Sequence, residues 1–582
     1  MTTFLNISKY YGKIYKDKGE DMDKKKFSNE WVFLFIMIVI AVVLRFIYID
    51  IPLWYDEACS WFTAIQKFPF GIMDNLLTLD LQHTPLYFFA LHFWMKMFGD
   101  TEVMLRVFSL IFGVGTVPLV YFLAKKISTK QVAIISTALA TVSPLLVFFS
   151  TEVRMYPVVV FLVMLSLNYL VDFEQKSDIK SLLKLTIANV LIPYTFVGGI
   201  FYNIALLFSY GVYLLLNNRE KFNKYIKFAI GEFILLIPYF VLIGYYAKMR
   251  SVFVISHEGP LNFVALVDMV RNFFGSTIVD NIYWPATSPY LFTFAFTMLV
   301  VVPCCYFVYG YIQSVKKSEG FEKVLVYTIL SALVLAIVFA YFKVNIFTVR
   351  YILYLLPPML ILSIIGLSKK ISPRHLNIFV ALFIMCSCRF DFTHAPVEKI
   401  LKTNAFKAVS IEAAKFNLES YDIVIMPFGS DAPYYFKAER GPQVYNFDFH
   451  KEVRNPYNKK YYDEYQREMM ANSSRYGVIY DSIFADKGFS DAHFEYFMQN
   501  VNNKVPKGRY VLLALYGDDA SQLVQLQDLR KSVTSIEDIK NNTLSIMLEK
   551  YLVDIRAYLD SQFNYLGSET VGNYTYLLYQ KR

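Results

Sequence analysis

The stretch "TPLYFFALHFWMKMFG" (residues 84–99) decides how this chain is threaded. It is apolar enough to enter a bilayer. At about 14 apolar residues, interrupted by His92 and Lys96, it falls short of the roughly 20 that a spanning helix needs. If it crossed, the next apolar stretch (residues 103–124) would deliver Lys125 and Lys126 to the outer side. If it lies flat in the interface, those lysines land inside, where basic residues accumulate. The flat reading is adopted here, and it makes the rest of the chain alternate without strain.

The membrane setting comes from composition. Of 582 residues, 56% are hydrophobic and only 18% charged, against roughly 45–50% and about 25% in soluble domains. The net charge of +9 sits in short clusters between apolar runs, which marks cytoplasmic loops and argues against a nucleic-acid partner. Cys59, Cys304, Cys305, Cys386 and Cys388 offer no disulfide framework and no zinc-ligand spacing. The first apolar run starts only at Trp31 and is long enough to anchor, which argues against a cleaved signal peptide.

Residues 1–30 read as a cytoplasmic tail, because "DKKK" (23–26) precedes the first span at 31–48. Residues 49–102 then form the first outer loop, with interfacial helices. Spans follow at 103–124, 132–149 and 157–171. The stretch 182–216 is too long for one helix and breaks into a hairpin at "PYTFVGG" (193–199). Further spans lie at 228–247, 290–312, 324–342, 351–367 and 376–388, which makes about eleven. In the loop 248–289, Phe263, Leu266, Val267, Val270, Phe273 and Phe274 recur at helical spacing, as in a helix lying in the interface. The fold class is therefore a polytopic α-helical membrane domain (31–388) followed by a smaller domain.

From residue 389 the polar content rises. "YDIVIMPFG" (421–429), "RYGVIYDSI" (475–483), "RYVLLALYG" (509–517) and "YTYLLYQ" (574–580) read as strands, with helices at 403–416 and 535–562. Residues 389–582 are expected to form an extracytoplasmic α/β domain. "FGSDAP" (428–433) reads more simply as a strand-to-helix turn than as a ligand loop.

This threading puts Asp56, Glu57, His83, Glu152, Arg154 and Arg350 on one outer face. Acids in a long loop are usually solvated, and basic residues at helix ends usually snorkel; Arg45, Arg106 and Lys248 are assigned that bland role. The acidic pair in "WYDEACSW" (54–61) has more specific company. Trp54, Tyr55 and Trp61 hold it at headgroup depth, where a carboxylate gains basicity and can take a proton as general base. Arg154 and Arg350 carry guanidinium forks that match phosphate oxygens, and His83 is placed to donate to the same phosphate. Each arginine also has an ordinary alternative, an ion pair with Glu152 or with a lipid headgroup.

The segments "LRFIYIDIPLWYDEACSW" (44–61), "HTPLYFFALHFWMKMFG" (83–99), "TEVMLRVFSLIFGVGTVPLVYFLAKKI" (101–127), "SPLLVFFSTEVRMYPVVVFL" (143–162) and "VRYILYLLPPMLIL" (349–362) resemble GT-C membrane glycosyltransferases. The nearest branch is that of the dolichyl-phosphate-mannose protein mannosyltransferases and the bacterial aminoarabinose (lipid A) transferases. The resemblance covers roughly residues 30–370 and implies an inverting glycosyltransferase of the cytoplasmic membrane. It would use a polyprenyl-phosphate-linked sugar donor and a glycan, lipid or protein acceptor. Asp56 matches the family's first-loop catalytic aspartate and Glu57 the acid that follows it. Glu152, Arg154 and Tyr156 match the second outer-loop element, and Arg350 the arginine before the late "RY" span. Two departures stand out: His83-Thr84-Pro85 replaces the common His-Pro-Pro, and the C-terminal domain shows no β-trefoil repeat. A divalent metal ion shared by Asp56 and Glu152 stays open, as do the sugar and the acceptor. The competing classes are a lipid or glycan transporter (flippase), expected to carry charge at mid-membrane, and a polysaccharide polymerase or ligase, expected to have a long late outer loop.

Overall fold

The computed structural model describes residues 24–47, 49–78, 82–253, 263–275, 290–342 and 349–393. Of the C-terminal region it describes 418–419, 422–426, 432–435, 443–446, 498–499, 501–516, 555–571 and 574–582. The expected strand at 475–483, the helix at 403–416, residues 535–554 and most of the 428–433 turn lie outside these residues.

The first helix, α1 (Lys24–Phe46), is followed by three short helices in one loop: α2 (Tyr55–Ala64), α3 (Phe70–Thr78) and α4 (Pro85–Phe98). The deciding stretch 84–99 is α4, with Thr84 as N-cap and Gly99 (φ 84°) as C-cap. Fourteen residues at 1.5 Å each make about 21 Å, too short for a bilayer core of about 30 Å. It packs on its loop neighbours instead: the His92 imidazole Nδ1 lies 2.7 Å from the Ala64 carbonyl at the end of α2, and α2 is tied in turn to α3 by Thr63, which donates to Asn75 at 3.1 Å.

Long helices follow: α5 (Glu102–Ile127), α6 (Lys130–Val142) with α7 (Pro144–Ser150), α8 (Tyr156–Lys176), α9 (Ile179–Thr195), α10 (Ile200–Asn217), and α11 (Arg219–Leu235) with α12 (Ile237–Phe253). After α13 (Phe263–Phe274) come α14 (Tyr290–Lys317), α15 (Phe321–Phe342), α16 (Leu356–Ser368) and α17 (Pro373–Thr393). A 3-10 turn, Val349–Leu355, leads into α16, and another, Val197–Gly199, joins α9 to α10 where the hairpin was expected. Among the described residues six helices are long and apolar enough to cross a membrane, or up to eight if each bent pair is one span.

Two expected spans are bent. The chain turns 53° between α6 and α7, because Pro144 lacks an amide proton and begins a new helix. It turns 46° between α11 and α12. The helix α11 starts in a basic run, before the expected span at 228–247: Asn218 accepts the Lys221 amide at 3.0 Å, and Lys224 pairs with Glu220 one turn away.

Small residues let α14 and α16 touch backbone to backbone. A Cβ on Gly366 would lie 1.9 Å from the Gly310 carbonyl oxygen, and Ser314 donates to the Leu362 carbonyl at 2.6 Å. In lipid, such close approach substitutes for the missing hydrophobic drive. The helices α5, α8 and α16 start beside the acidic loop, the "EVR" segment and the Val349–Leu355 turn that carries Arg350, and they end at Lys125, Lys176 and Lys369, at the opposite end of the bundle. There, Lys125 and Lys130 share Glu30 (2.5 and 3.1 Å), Lys126 meets Asp172 (3.0 Å) and Lys369 meets Glu322 (3.0 Å).

Two acids lie within helices of the bundle. Glu232 lies in α11, its carboxylate held by the amides of Asn189 (3.1 Å) and Asn203 (3.2 Å). Asp391 is buried in α17.

The C-terminal region is α/β, as expected. Its five-stranded sheet runs β2–β1–β3–β5–β4, with β1 (Ile423–Met426), β2 (Gln443–Asn446), β3 (Tyr510–Tyr516), β4 (Phe563–Val571) and β5 (Tyr574–Lys581). β1 is parallel to β2 and β3; β5 is antiparallel to β3 and β4. Asp422 pins β1 to β3 by accepting from the Arg509 guanidinium and, at 2.7 Å, from the Tyr510 amide. A short helix, α18 (Ala432–Tyr435), follows β1, and α19 (Arg556–Gln562) precedes β4.

Candidate active site

The acidic pair opens α2. Asp56 and Glu57 occupy its first turn, where the positive end of the helix dipole favours negative charge. Trp54 is the N-cap, and its amide donates to Glu57 Oε2 at 3.2 Å. Tyr55 begins the helix; its side chain lies outside the described part.

Adjacent positions on a helix point about 100° apart, so the two acids face different surroundings. Glu57 turns inward and is 1% exposed. Its Oε1 accepts from Arg106 Nε (2.9 Å) and the Val153 amide (3.1 Å), and its Oε2 from an Arg106 terminal nitrogen (2.5 Å) and Trp54. All four lone-pair sites of an ionised carboxylate are in use. In this geometry the Glu57 carboxylate is fully engaged. It ties the first loop to the 150–156 segment.

Arg106 corrects the sequence reading. It does not snorkel: it is 1% exposed and, besides Glu57, donates to the carbonyls of Ile49 (3.1 Å), Ile51 and Pro52 (3.0 Å). A guanidinium one turn inside an apolar helix needs such partners, because burying an unpaired cation costs several kcal/mol. Arg45 is likewise 1% exposed and donates to the Ala41 and Thr141 carbonyls. The Lys248 side chain lies outside the described residues.

Asp56 turns the other way. Its Oδ2 accepts from Arg350 at 3.1 Å and lies 3.9 Å from an Arg154 terminal nitrogen. The three residues come from α2, the α7–α8 connection and the 3-10 turn before α16, far apart along the chain. Arg154 also donates to the Asp56 carbonyl (3.2 Å) and the Ser60 hydroxyl (3.3 Å). Its other terminal nitrogen donates to His83 Nε2 at 2.8 Å. A guanidinium only donates, so Nε2 is the acceptor and His83 is the neutral tautomer with its proton on Nδ1. The sequence reading has His83 donating to a phosphate; here its Nε2 meets Arg154, the other residue assigned to that phosphate.

Arg154 has a 5%-exposed side chain and Arg350 a 28%-exposed one. The first is buried and the second partly exposed. Both sit against aromatic faces: the Arg154 guanidinium carbon is 5.8 Å from the Tyr156 ring centre and that of Arg350 is 5.2 Å from the Tyr351 ring centre, within cation–π range. Tyr156 is 1% exposed and meets Tyr351 and Phe196. Tyr351, which sequence reasoning passed over, is the neighbour of Arg350 in the "VRY" element. Glu152 is 1% exposed, and its carbonyl accepts the Arg154 amide at 2.7 Å, a tight turn that aims Arg154 back at α2. Among the described residues no group of three or more His, Cys, Asp or Glu is placed to hold a metal ion.

The acidic loop thus folds onto the helical bundle with Asp56 facing two arginines. Residues 82–244 match the family described as dolichyl-phosphate-mannose-protein mannosyltransferase. The crystal structure of ArnT from Cupriavidus metallidurans bound to undecaprenyl phosphate is similar at a TM-score of 0.55 and 11% identity, covering 94% of this chain and 98% of that one. The same ArnT in the apo state gives 0.55 and 10%, covering 86% and 95%. The apo oligosaccharyltransferase of Archaeoglobus fulgidus gives 0.48 and 12%, covering 84% and 70%. The comparison with curated proteins gave no match. The chain thus has the GT-C fold, and the family match supports a multi-pass membrane glycosyltransferase.

Proposed function

We propose that this chain moves a sugar from a polyprenyl-phosphate-linked donor to an acceptor hydroxyl or phosphate at the outer face of the cytoplasmic membrane, with inversion. The observation that carries the reading is the Asp56 carboxylate held between Arg350 and Arg154. A donor phosphate offers the same guanidinium groups a better-matched anion. As it takes them over, Asp56 loses its neutralising partners and becomes more basic.

Asp56 then accepts the proton of the acceptor hydroxyl as that oxygen bonds to the anomeric carbon. The bond from that carbon to the phosphate oxygen breaks on the opposite face. Its electron pair leaves with the polyprenyl phosphate, whose charge Arg350 and Arg154 stabilise. Neutral His83 and the aromatic pair Tyr156 and Tyr351 keep the arginines in place. Glu57 and Arg106 hold the loop that carries Asp56. The GT-C fold shared with ArnT bound to undecaprenyl phosphate supports a lipid-phosphate donor. The lysine-rich opposite end supports an outward-facing site.

Purified protein in lipid nanodiscs, given a radiolabelled polyprenyl-phosphate sugar, tests this. Asp56→Asn is expected to lower turnover by roughly 10²–10⁴-fold, as for loss of a general base, while undecaprenyl phosphate still binds. Arg350→Ala is expected to weaken that binding by roughly 10- to 100-fold, the value of a charged hydrogen bond. Full turnover by the Asp56→Asn protein would end the proposal.

A further inference from the structure

The C-terminal domain reaches the loop that carries Asp56. Just after β1, α18 places two consecutive tyrosines against α2 and its flanks. The Tyr435 hydroxyl oxygen accepts the Leu53 amide at 2.6 Å, three residues before Asp56. The Tyr434 hydroxyl serves the Asp100 carbonyl (3.0 Å) and the Glu102 carboxylate (3.3 Å). Its ring stands edge-on to Trp61, with centres 5.2 Å apart, and the Trp61 indole donates to Asp100 at 2.9 Å. Leu53 is fully buried, so its amide needs a partner. The neighbouring carbonyls of Ile51 and Pro52 are already committed to Arg106.

We infer that Tyr435, supported by Tyr434, is a positioning residue for Asp56: the C-terminal domain fixes the entry of α2 and so sets the angle at which the carboxylate meets the acceptor. The loop is gripped from both sides, by Arg106 through its carbonyls and by Tyr435 through its amide. A displacement of the C-terminal domain is transmitted to the carboxylate through one hydrogen bond and three peptide units. The inference rests on the proposed transferase reading for its kinetic consequence, but the contact has a readout independent of catalysis.

Tyr435→Phe in the full chain removes only the hydroxyl. Hydrogen–deuterium exchange at the Leu53 amide is expected to accelerate by about ten-fold or more, the effect of an unpaired buried donor. Turnover is expected to fall by a similar factor while undecaprenyl phosphate binding stays within about two-fold, since Arg154 and Arg350 are untouched. Tyr434→Phe, which loses the bonds to Asp100 and Glu102, is expected to show the same split with a smaller loss. Unchanged exchange at Leu53 would overturn the contact. Accelerated exchange with unchanged turnover, or with turnover and binding lost together, would overturn the positioning role. A wild-type protein inactive on every polyprenyl-phosphate sugar would count against the transferase reading, leaving the exchange result to judge the contact.

Discussion

At the scale of single residues, the adjacent acids Asp56 and Glu57 face different partners, and Glu57 forms a buried pair with Arg106. Removing one partner of a buried, fully bonded pair strands the other, at a cost of about 3–5 kcal/mol. Glu57→Ala is therefore expected to lower the melting temperature and yield of the purified protein sharply. The double variant Glu57→Ala/Arg106→Leu, which leaves no unpaired charge, is expected to recover part of that loss. A double variant as unstable as the sum of the singles would show that the two side chains act separately. The sequence allowed Asp56, Arg154, Arg350 and His83 to be grouped, because each lies at the end of an apolar stretch and ends can be assigned to a side. It did not distinguish Arg106 from a snorkelling arginine. The signal is faint: a guanidinium one turn into an apolar helix, with an acid in the loop before it. Its partners are the Ile49, Ile51 and Pro52 carbonyls, and no pattern of residue types encodes a carbonyl's position.

At the scale of elements, apolar length located most of the helices, and the lysines that follow them suggested their direction. Bends were harder to see. Pro144 sits within a continuous apolar run, so hydropathy joins α6 to α7 although the ring interrupts the hydrogen-bond ladder. Strands β1, β3 and β5 were visible as runs of β-branched and aromatic residues. β2 is only four residues, "QVYN", two of them polar. β4 carries Gly567 at a register shift, which breaks the two-residue alternation that marks a strand. The contact of α14 with α16 depends on absent side chains. Gly366→Leu has no room against the Gly310 carbonyl and is expected to force the helices apart, costing at least the 1–3 kcal/mol of an overpacked core. Thermal unfolding followed by tryptophan fluorescence checks this, and an unchanged midpoint would mean that the helices part freely.

At the scale of the whole molecule, the ionic contacts at the far end of the bundle involve lysine among the described residues, while the site end gathers arginine, histidine and acids. That asymmetry predicts which end faces the cytoplasm. In a version freed of its native cysteines, Lys96→Cys in the first loop is expected to react with a membrane-impermeant maleimide added to intact spheroplasts. Glu220→Cys, at the start of α11, is expected to react only after lysis. The reverse pattern would place the site on the cytoplasmic side and remove the outer-face donor from the proposal. Glu232 inside α11 is hard to see in a hydropathy profile, which averages over one acid. Asn189 and Asn203 show how it is accommodated.

The resting pairing of Asp56 with Arg350 also sets a competition. Any anion approaching those guanidinium groups must displace a carboxylate that is covalently tethered nearby and therefore present at a very high effective concentration. Dissolved phosphate, diluted through bulk solvent, competes poorly against such a tether. A lipid-borne anion, confined to the bilayer beside the site, starts from a much higher local concentration. The site thereby favours anions delivered by the membrane over those arriving from water.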